Sequence, residues 1–288
     1  MLLRTEAYAK LNLTLDVLGL RPDGYHEMQM LMQTVSLCDS VMVETGTGTP
    51  WSLHCDAGGP SGPENLAWRA AEAFYAAAGV QDDGLRISIR KRIPAQAGLA
   101  GGSSDAAAVL RLLNTCYGTP LSYAALCEAG ARAGSDVPFC IAGGTALATG
   151  RGEQLQPLQP LPDCRFVLCR PAFSIATPAM FRALDAAGIS ARPDTTAALA
   201  ALQAGDLQAL GDRLCNVFAP VVLERYPQAA HICDMLRTAG ALGCCMTGTG
   251  SVFYGLFDGA PAAEAAAAVL RMQFPDVWIC TPVAGARP

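Results

Sequence analysis

The hydrophobic pattern changes period several times along the chain, and each change marks an element. Residues 7–17 alternate: Ala7, Ala9, Leu11, Leu13, Leu15 and Val17 fall on one side, with Tyr8, Lys10, Asn12, Thr14 and Asp16 on the other. That two-residue period predicts a half-buried strand from which Lys10 and Asn12 project together. Arg21-Pro22-Asp23-Gly24 reads as a turn, the proline pre-set for the bend and the glycine free to take positive φ. Strand-like runs follow at 31–37, 41–44 and 51–55. From Asn65 to Ala78 the apolar positions Leu66, Ala70, Phe74 and Ala77 take helical spacing, and Gly79 supplies the stop. Leu85, Ile87 and Ile89 predict a strand over 85–91, and an alanine-rich helix runs from Ser103 to Gly118. Ser122 caps a further helix to about Ala133, the segment 134–139 interrupts the pattern, and strands are expected near 139–149.

The stretch 154–162 carries three prolines in nine residues and reads as an extended connector. It divides the chain into expected domains at 1–156 and 163–288, and 288 residues suffice for two buried cores. Beyond it the pattern predicts a strand at 165–170 and helices at 177–187, 194–204, 206–215 and 227–239. The chain then reads strand (244–247), glycine-rich loop (248–251), strand (252–257), helix (260–272) and strand (277–280). The fold class is mixed α/β or α+β.

Composition narrows the partners. With 16% charged residues and a net charge of −5, the chain lacks the basic stripe of a nucleic-acid binder. Its one cationic cluster, Arg90-Lys91-Arg92, is read as phosphate support or a solvated strand end. The twelve cysteines form no Cys-x2-Cys pair and point to a reduced, cytoplasmic interior without a disulfide framework or zinc site. No apolar signal core or run of about 18 uncharged apolar residues is present, so no membrane association is expected. The three histidines, His26, His54 and His231, have neither metal spacing nor a Gly-x-Ser-x-Gly partner.

The chemistry gathers at one glycine-rich turn between a strand and a helix: Pro94, Ala95, Gln96, Ala97, Gly98, Leu99, Ala100, Gly101, Gly102, Ser103, Ser104 and Asp105. Glycines let the backbone approach a ligand, Ser103 or Ser104 is expected to cap the helix, and its free N–H groups suit an anion. The spacing matches neither Gly-x4-Gly-Lys-Ser/Thr nor Gly-x-Gly-x-x-Gly. Asp136, flanked by Gly134-Ser135 and Val137-Pro138, either caps a helical turn or acts as a base. If it meets Lys10, the cation holds the carboxylate ionised and the pair can take a proton from a hydroxyl. That combination suits phosphoryl transfer to an alcohol.

These residues resemble the GHMP kinases. The marks are Ala9-Lys10-Leu11-Asn12-Leu13, Arg21-Pro22-Asp23-Gly24-Tyr25-His26, the loop 94–105, Gly134-Ser135-Asp136-Val137-Pro138-Phe139 and Thr247-Gly248-Thr249-Gly250-Ser251. The resemblance implies an N-terminal domain with a left-handed βαβ crossover, a C-terminal ferredoxin-like domain, and a site between them using ATP and Mg²⁺. It implies Asp136 as base and Lys10 as its partner, with Asn65, Leu66 and residues 94–104 on the nucleotide. Asn12, Tyr25, His26, Thr177, Phe181, Gly248 and Gly250 fall on the acceptor side, and Ser104 is a candidate metal ligand. The Asp-Gly-Tyr-His segment points to the branch whose small-molecule acceptor is a cytidine-diphosphate-linked methylerythritol. The alternatives are a homoserine, mevalonate or sugar kinase and, from another class, a non-catalytic RNA-binding module on the same fold. Where the family has glycine this chain has Ala100, for which a right-handed or extended φ is expected because left-handed backbone costs about 1–2 kcal/mol. The segment 215–219 departs from the family's acidic pattern and is given no role.

Overall fold

The computed structural model describes residues 1–285. Strands β1 (Leu2–Leu20) and β2 (His26–Thr45) form a long antiparallel hairpin around the turn at 21–24, where Gly24 has φ 81°. The runs at 31–37 and 41–44 prove to be one strand whose outer edge changes partner. Met28–Gln33 pairs with β5 (Thr145–Gly150) and Ser40–Thr45 with β4 (Leu85–Arg90). Strand β3 (Ser52–Cys55) lies parallel to β4, and α1 (Leu66–Ala78) and the chain around it make the crossover. β6 (Gln154–Pro157) pairs with β5, so the start of the proline-rich stretch is a strand of this sheet. β8 (Cys215–Asn216) returns from the second half of the chain to pair with β1, which corrects the helix expected over 206–215; only α7 (Leu207–Gly211) forms there.

The alternation in β1 is cut by register shifts at Tyr8/Ala9, Asn12/Thr14 and Val17/Gly19. Each such irregularity turns the strand, so the odd positions serve three cores. Ala7 packs beneath the helices with Val41 and Ala107, whereas Ala9, Leu11 and Leu13 join Phe166, Leu168 and Tyr254. Leu15 and Val17 belong to a third cluster with Phe218 and Met246. Lys10, Asn12, Thr14 and Asp16 are buried as well, so the strand is covered on both faces and not half-buried as its period predicts.

Helix α1 is capped by Asn65, whose side chain accepts from Ala67 N–H at 2.9 Å, and stops at Gly79 with φ 62°. It packs with α2 (Gly101–Cys116) and α3 (Tyr123–Ala133), the latter capped by Ser122. Residues expected to begin a strand near 139 form α4 (Val137–Ala142), whose Pro138 sits in the first turn, where an N–H has no helical partner to lose.

The second sheet, in the order β11-β7-β10-β9, comprises β7 (Arg165–Cys169), β9 (Gly243–Met246), β10 (Phe253–Phe257) and β11 (Val277–Cys280). All its pairings are antiparallel. With α9 (Ala230–Thr238) before β9 and α10 (Ala260–Arg271) between β10 and β11, this is the ferredoxin-like arrangement. Helices α5 (Thr177–Ala187), α6 (Thr195–Ala204) and α8 (Ala219–Arg225) fill the long connection, and α8 has no counterpart in the hydrophobic reading. The all-reduced expectation is corrected at one place, where the sulfurs of Cys233 and Cys244 are paired between α9 and β9. No helix among the described residues is long and apolar enough to cross a membrane.

Candidate active site

The loop 94–100 lies at the edge of a cavity of about 700 Å³. Gln96, Gly98 and Ala100 have φ of 53°, 76° and 56°, with negative values between them. Alternation of this kind turns successive amide groups toward one side and makes an anion-binding concavity. Ala100 is therefore left-handed, against expectation: the residue that starts α2 must reverse the chain, and the loop imposes the geometry on a methyl-bearing side chain. Neither Ser103 nor Ser104 caps α2; its N-cap position is Ala100, with no side-chain hydrogen bond. Among the described residues no backbone N–H from 95 to 103 donates to a main-chain carbonyl. The helix thus presents its free donors and the positive end of its dipole to the cavity.

A second glycine loop, 247–251, packs on the first. A Cβ built on Gly98 would stand 2.0 Å from the Thr247 carbonyl oxygen, and one on Gly248 would stand 2.8 Å from Gly98 Cα. Thr247 Oγ1 donates to the Gly98 carbonyl at 3.1 Å and Val252 N–H to the Ala97 carbonyl at 3.3 Å. Asn12 joins this seam to β1. Its Oδ1 accepts from Gly248 N–H at 2.9 Å and from Lys10 Nζ at 2.7 Å. Expected on the acceptor side, Asn12 is instead fully buried and acts as a clasp between lysine and loop.

Asn216, to which the sequence assigned nothing, is a second clasp. Its Nδ2 donates to the carbonyls of Met246 and Gly248, both at 2.8 Å, and its Oδ1 accepts from Phe218 N–H. Lys10 Nζ stands 3.9 Å from Asp136 Oδ2, so the two residues separated by most of the first half of the chain do meet. Asp136 occupies the N-cap position of α4 but makes no cap bond with its side chain. Its carboxylate is 30% exposed and faces the cavity, with Lys10 a charge neighbour beyond hydrogen-bond length.

Behind the glycine loop, Lys91 bridges Asp39 and Asp105, the latter at 2.6 Å. The cationic cluster is therefore neither a free phosphate grip nor a solvated end at this residue. Burial pushes the Asp105 carboxyl up to about 7 against the pull of Lys91, with Asp39 adding to the rise. Burial lowers the Lys91 ammonium's tendency to stay charged, but the two carboxylates outweigh it and hold its pKa above the ordinary value. Ser104 is buried and donates its hydroxyl to the Tyr8 carbonyl; Ser103 lines the cavity in its place.

At the opposite end, Thr177 and Phe181 from α5 line the cavity with Phe218. His26 stacks on Phe181 with ring centroids 4.6 Å apart and meets Asp185 Oδ1 through Nε2 at 2.9 Å, so no third ring fits between them. Thr177 Oγ1 lies 3.1 Å from Thr249 Oγ1. Tyr25 is exposed, with the Arg151 guanidinium 4.9 Å from its ring centre. Gly250 packs inward on Met246 and Ile175, away from the cavity. Asn65 and Leu66 stand beside the glycine loop, Leu66 against Gly102.

The arrangement agrees with what the chain resembles. Residues 65–144 match the model of the GHMP kinases N terminal domain and residues 198–276 that of the GHMP kinases C terminal domain. A 4-diphosphocytidyl-2-C-methyl-D-erythritol kinase of Caldicellulosiruptor saccharolyticus is 40% identical over 277 residues, covering 96% of this chain and 95% of the relative. That of Pelotomaculum thermopropionicum is 43% identical over 272 residues, 94% of each. A crystal structure of 4-(cytidine 5'-diphospho)-2C-methyl-D-erythritol kinase superposes with a TM-score of 0.81 at 36% identity, over 99% of this chain and all of the other. Homoserine kinase from Cytophaga hutchinsonii, at 17% identity and a TM-score of 0.78 over 99% and 95%, shares the fold. The chain belongs to the 4-diphosphocytidyl-2-C-methyl-D-erythritol kinase family of the ATP-dependent GHMP kinases.

Proposed function

We propose that this chain transfers the γ-phosphoryl group of ATP to the 2-hydroxyl of 4-(cytidine 5'-diphospho)-2-C-methyl-D-erythritol, releasing ADP and the 2-phosphate. The step belongs to non-mevalonate isoprenoid precursor synthesis in the cytoplasm. The observation that carries the reading is the placing of Lys10 and Asp136, 3.9 Å apart, in one cavity with the glycine loop. The acceptor oxygen attacks the γ-phosphorus, the bond to the β–γ bridging oxygen breaks, and the hydroxyl proton passes to Asp136. Because Lys10 donates to Asn12 rather than to Asp136, the carboxylate keeps its oxygens for that proton while the ammonium favours the developing alkoxide.

Residues 1–156 carry the nucleotide half of the site and 163–288 close over it. The amides of 94–103 hold the phosphates, and Asn65 and Leu66 border the base. Tyr25, His26, Thr177 and Phe181 supply the cytosine end, the pyrimidine stacking on the open side of the His26–Phe181 pair. Ser103 lines the cavity beside the loop amides and offers a hard oxygen of the kind Mg²⁺ takes along with water and phosphate oxygens. Ser103 and the nucleotide phosphates would hold it, and it would neutralise charge on the transferring group. The test is ADP release from Mg-ATP with the cytidylyl acceptor, homoserine and mevalonate compared. Turnover with the first alone is expected; turnover with either of the others and not with the first overturns the reading.

A further inference from the structure

We infer that Arg151, seated on Tyr25, grips the diphosphate of the acceptor and so sets its specificity; this rests on the acceptor proposed above. Arg151 lies in the turn joining β5 to β6 and lines the same cavity as Asp136. Its guanidinium donates no hydrogen bond among the described residues, and its ion pair with Glu153 is long, 4.0 Å. The Glu153 carboxylate is already used, accepting the main-chain N–H of Arg151 at 2.7 Å. The other acids nearby are also engaged: Arg21 holds Asp23 and Glu27, and Glu27 accepts from Gly150 N–H. Its fork therefore faces the cavity it shares with Asp136 and has no protein acceptor within hydrogen-bond distance among the described residues.

The turn is held against the reacting centre. Gly152 has φ 112°, and a Cβ built there would lie 3.8 Å from Asp136 Oδ1. An arm anchored one residue away reaches the part of the acceptor next to the hydroxyl. In the proposed acceptor the phosphorylated oxygen and the hydroxyl are on carbons two apart in one short chain, so a diphosphate necessarily lies close to the transfer point. Guanidinium matches phosphate oxygens two at a time, and a ring beneath it fixes the plane of the fork while leaving its edge free. Homoserine and mevalonate carry no such group, so Arg151 would discriminate by charge what the aromatic corner discriminates by shape.

The variant Arg151→Gln tests this in three readouts. KM for the cytidylyl acceptor should rise about ten- to a hundred-fold, the range for losing charge-assisted hydrogen bonds, while kcat and the KM for ATP change less than about three-fold. With the nucleotide site filled by a non-hydrolysable ATP analogue, CDP should bind wild type more tightly than cytidine, and that advantage should collapse in Arg151→Gln. Arg151→Lys should restore part of it, as a point charge without the fork. Equal losses for CDP and cytidine, no loss for either, or a rise confined to the KM for ATP overturns the assignment. If the cytidylyl compound is not a substrate, the function proposed above fails, and the CDP-to-cytidine comparison still decides the role of Arg151.

Discussion

Ala100→Gly is expected to stabilise the protein, as suits an N-cap position held at positive φ. Ala100 has φ 56° and ψ 32°, makes no side-chain cap bond, and accepts Ser104 N–H at its carbonyl, a bond that glycine retains. Recovering about 1–2 kcal/mol of left-handed strain against about 0.4–1 kcal/mol of added unfolded-state entropy leaves about 0–1.6 kcal/mol in favour of the variant. For a chain of this size the centre of that range corresponds to roughly 1–2 °C in Tm. Urea titration and thermal melting of the apo protein should show a higher midpoint with an unchanged m-value. Ala100→Val, β-branched at the same positive φ, should move the midpoint down by more than glycine moves it up. A lower midpoint for Ala100→Gly, or a neutral Ala100→Val, would refute the claim that the loop imposes this conformation on residue 100.

The remaining predictions concern the seam and its charges. Asn216→Ala leaves the Gly248 carbonyl and Phe218 N–H without partners and the Met246 carbonyl with only the weak Cys245 thiol donor, and at about 1–3 kcal/mol per buried orphan Tm should fall by several degrees with kcat falling too; unchanged melting would remove Asn216 as a clasp. Gly98→Ala puts a methyl into the Thr247 carbonyl at positive φ and should cost at least about 3 kcal/mol, seen as lost soluble yield or lost nucleotide binding; wild-type nucleotide affinity in a stable Gly98→Ala protein would contradict the packing of the two loops. Asp105 binds its proton more tightly folded than unfolded, so its contribution to stability is full below about pH 4, declines as pH rises toward 7, and is constant above that. Melting of the apo protein from pH 4 to 8 should show wild type losing ground to Asp105→Asn up to about pH 7; a pH-independent difference would count against the buried acid.

What the sequence revealed and what it hid divide along physical lines. Elements with local signals were readable: Asn65 and Gly79 bound α1, Ser122 starts α3, and Gly24 turns the hairpin, because a cap or a positive φ depends on the residue itself. The even side of β1 looked solvent-facing because period reports alternation, not what covers the second face. The bulges at 8/9 and 12/14 were invisible for the same reason: the apolar pattern continues through them while its partners change. Helix α4 was obscured by Pro138, which reads as a breaker unless it falls in a first turn. Within the site, the meeting of Lys10 and Asp136 was stated only as a condition, since their separation along the chain says nothing of contact. Asn216 carried no local signal at all; its importance comes from two carbonyls thirty residues away. Arg151 likewise carried no local signal; its place in the cavity, its seat on Tyr25 and the prior engagement of Glu153 appear only in the folded chain.

The central claim is that Asp136 takes the acceptor's proton while the glycine loop holds the nucleotide independently of it. The most direct measurement is the turnover of Asp136→Asn under saturating Mg-ATP and cytidylyl acceptor, with ATP-analogue affinity determined on the same preparation. The account predicts analogue binding within about three-fold of wild type and kcat lower by roughly a hundred- to ten-thousand-fold, the span of a general base. Near-normal kcat, or a kcat loss that simply tracks lost nucleotide affinity, would contradict it.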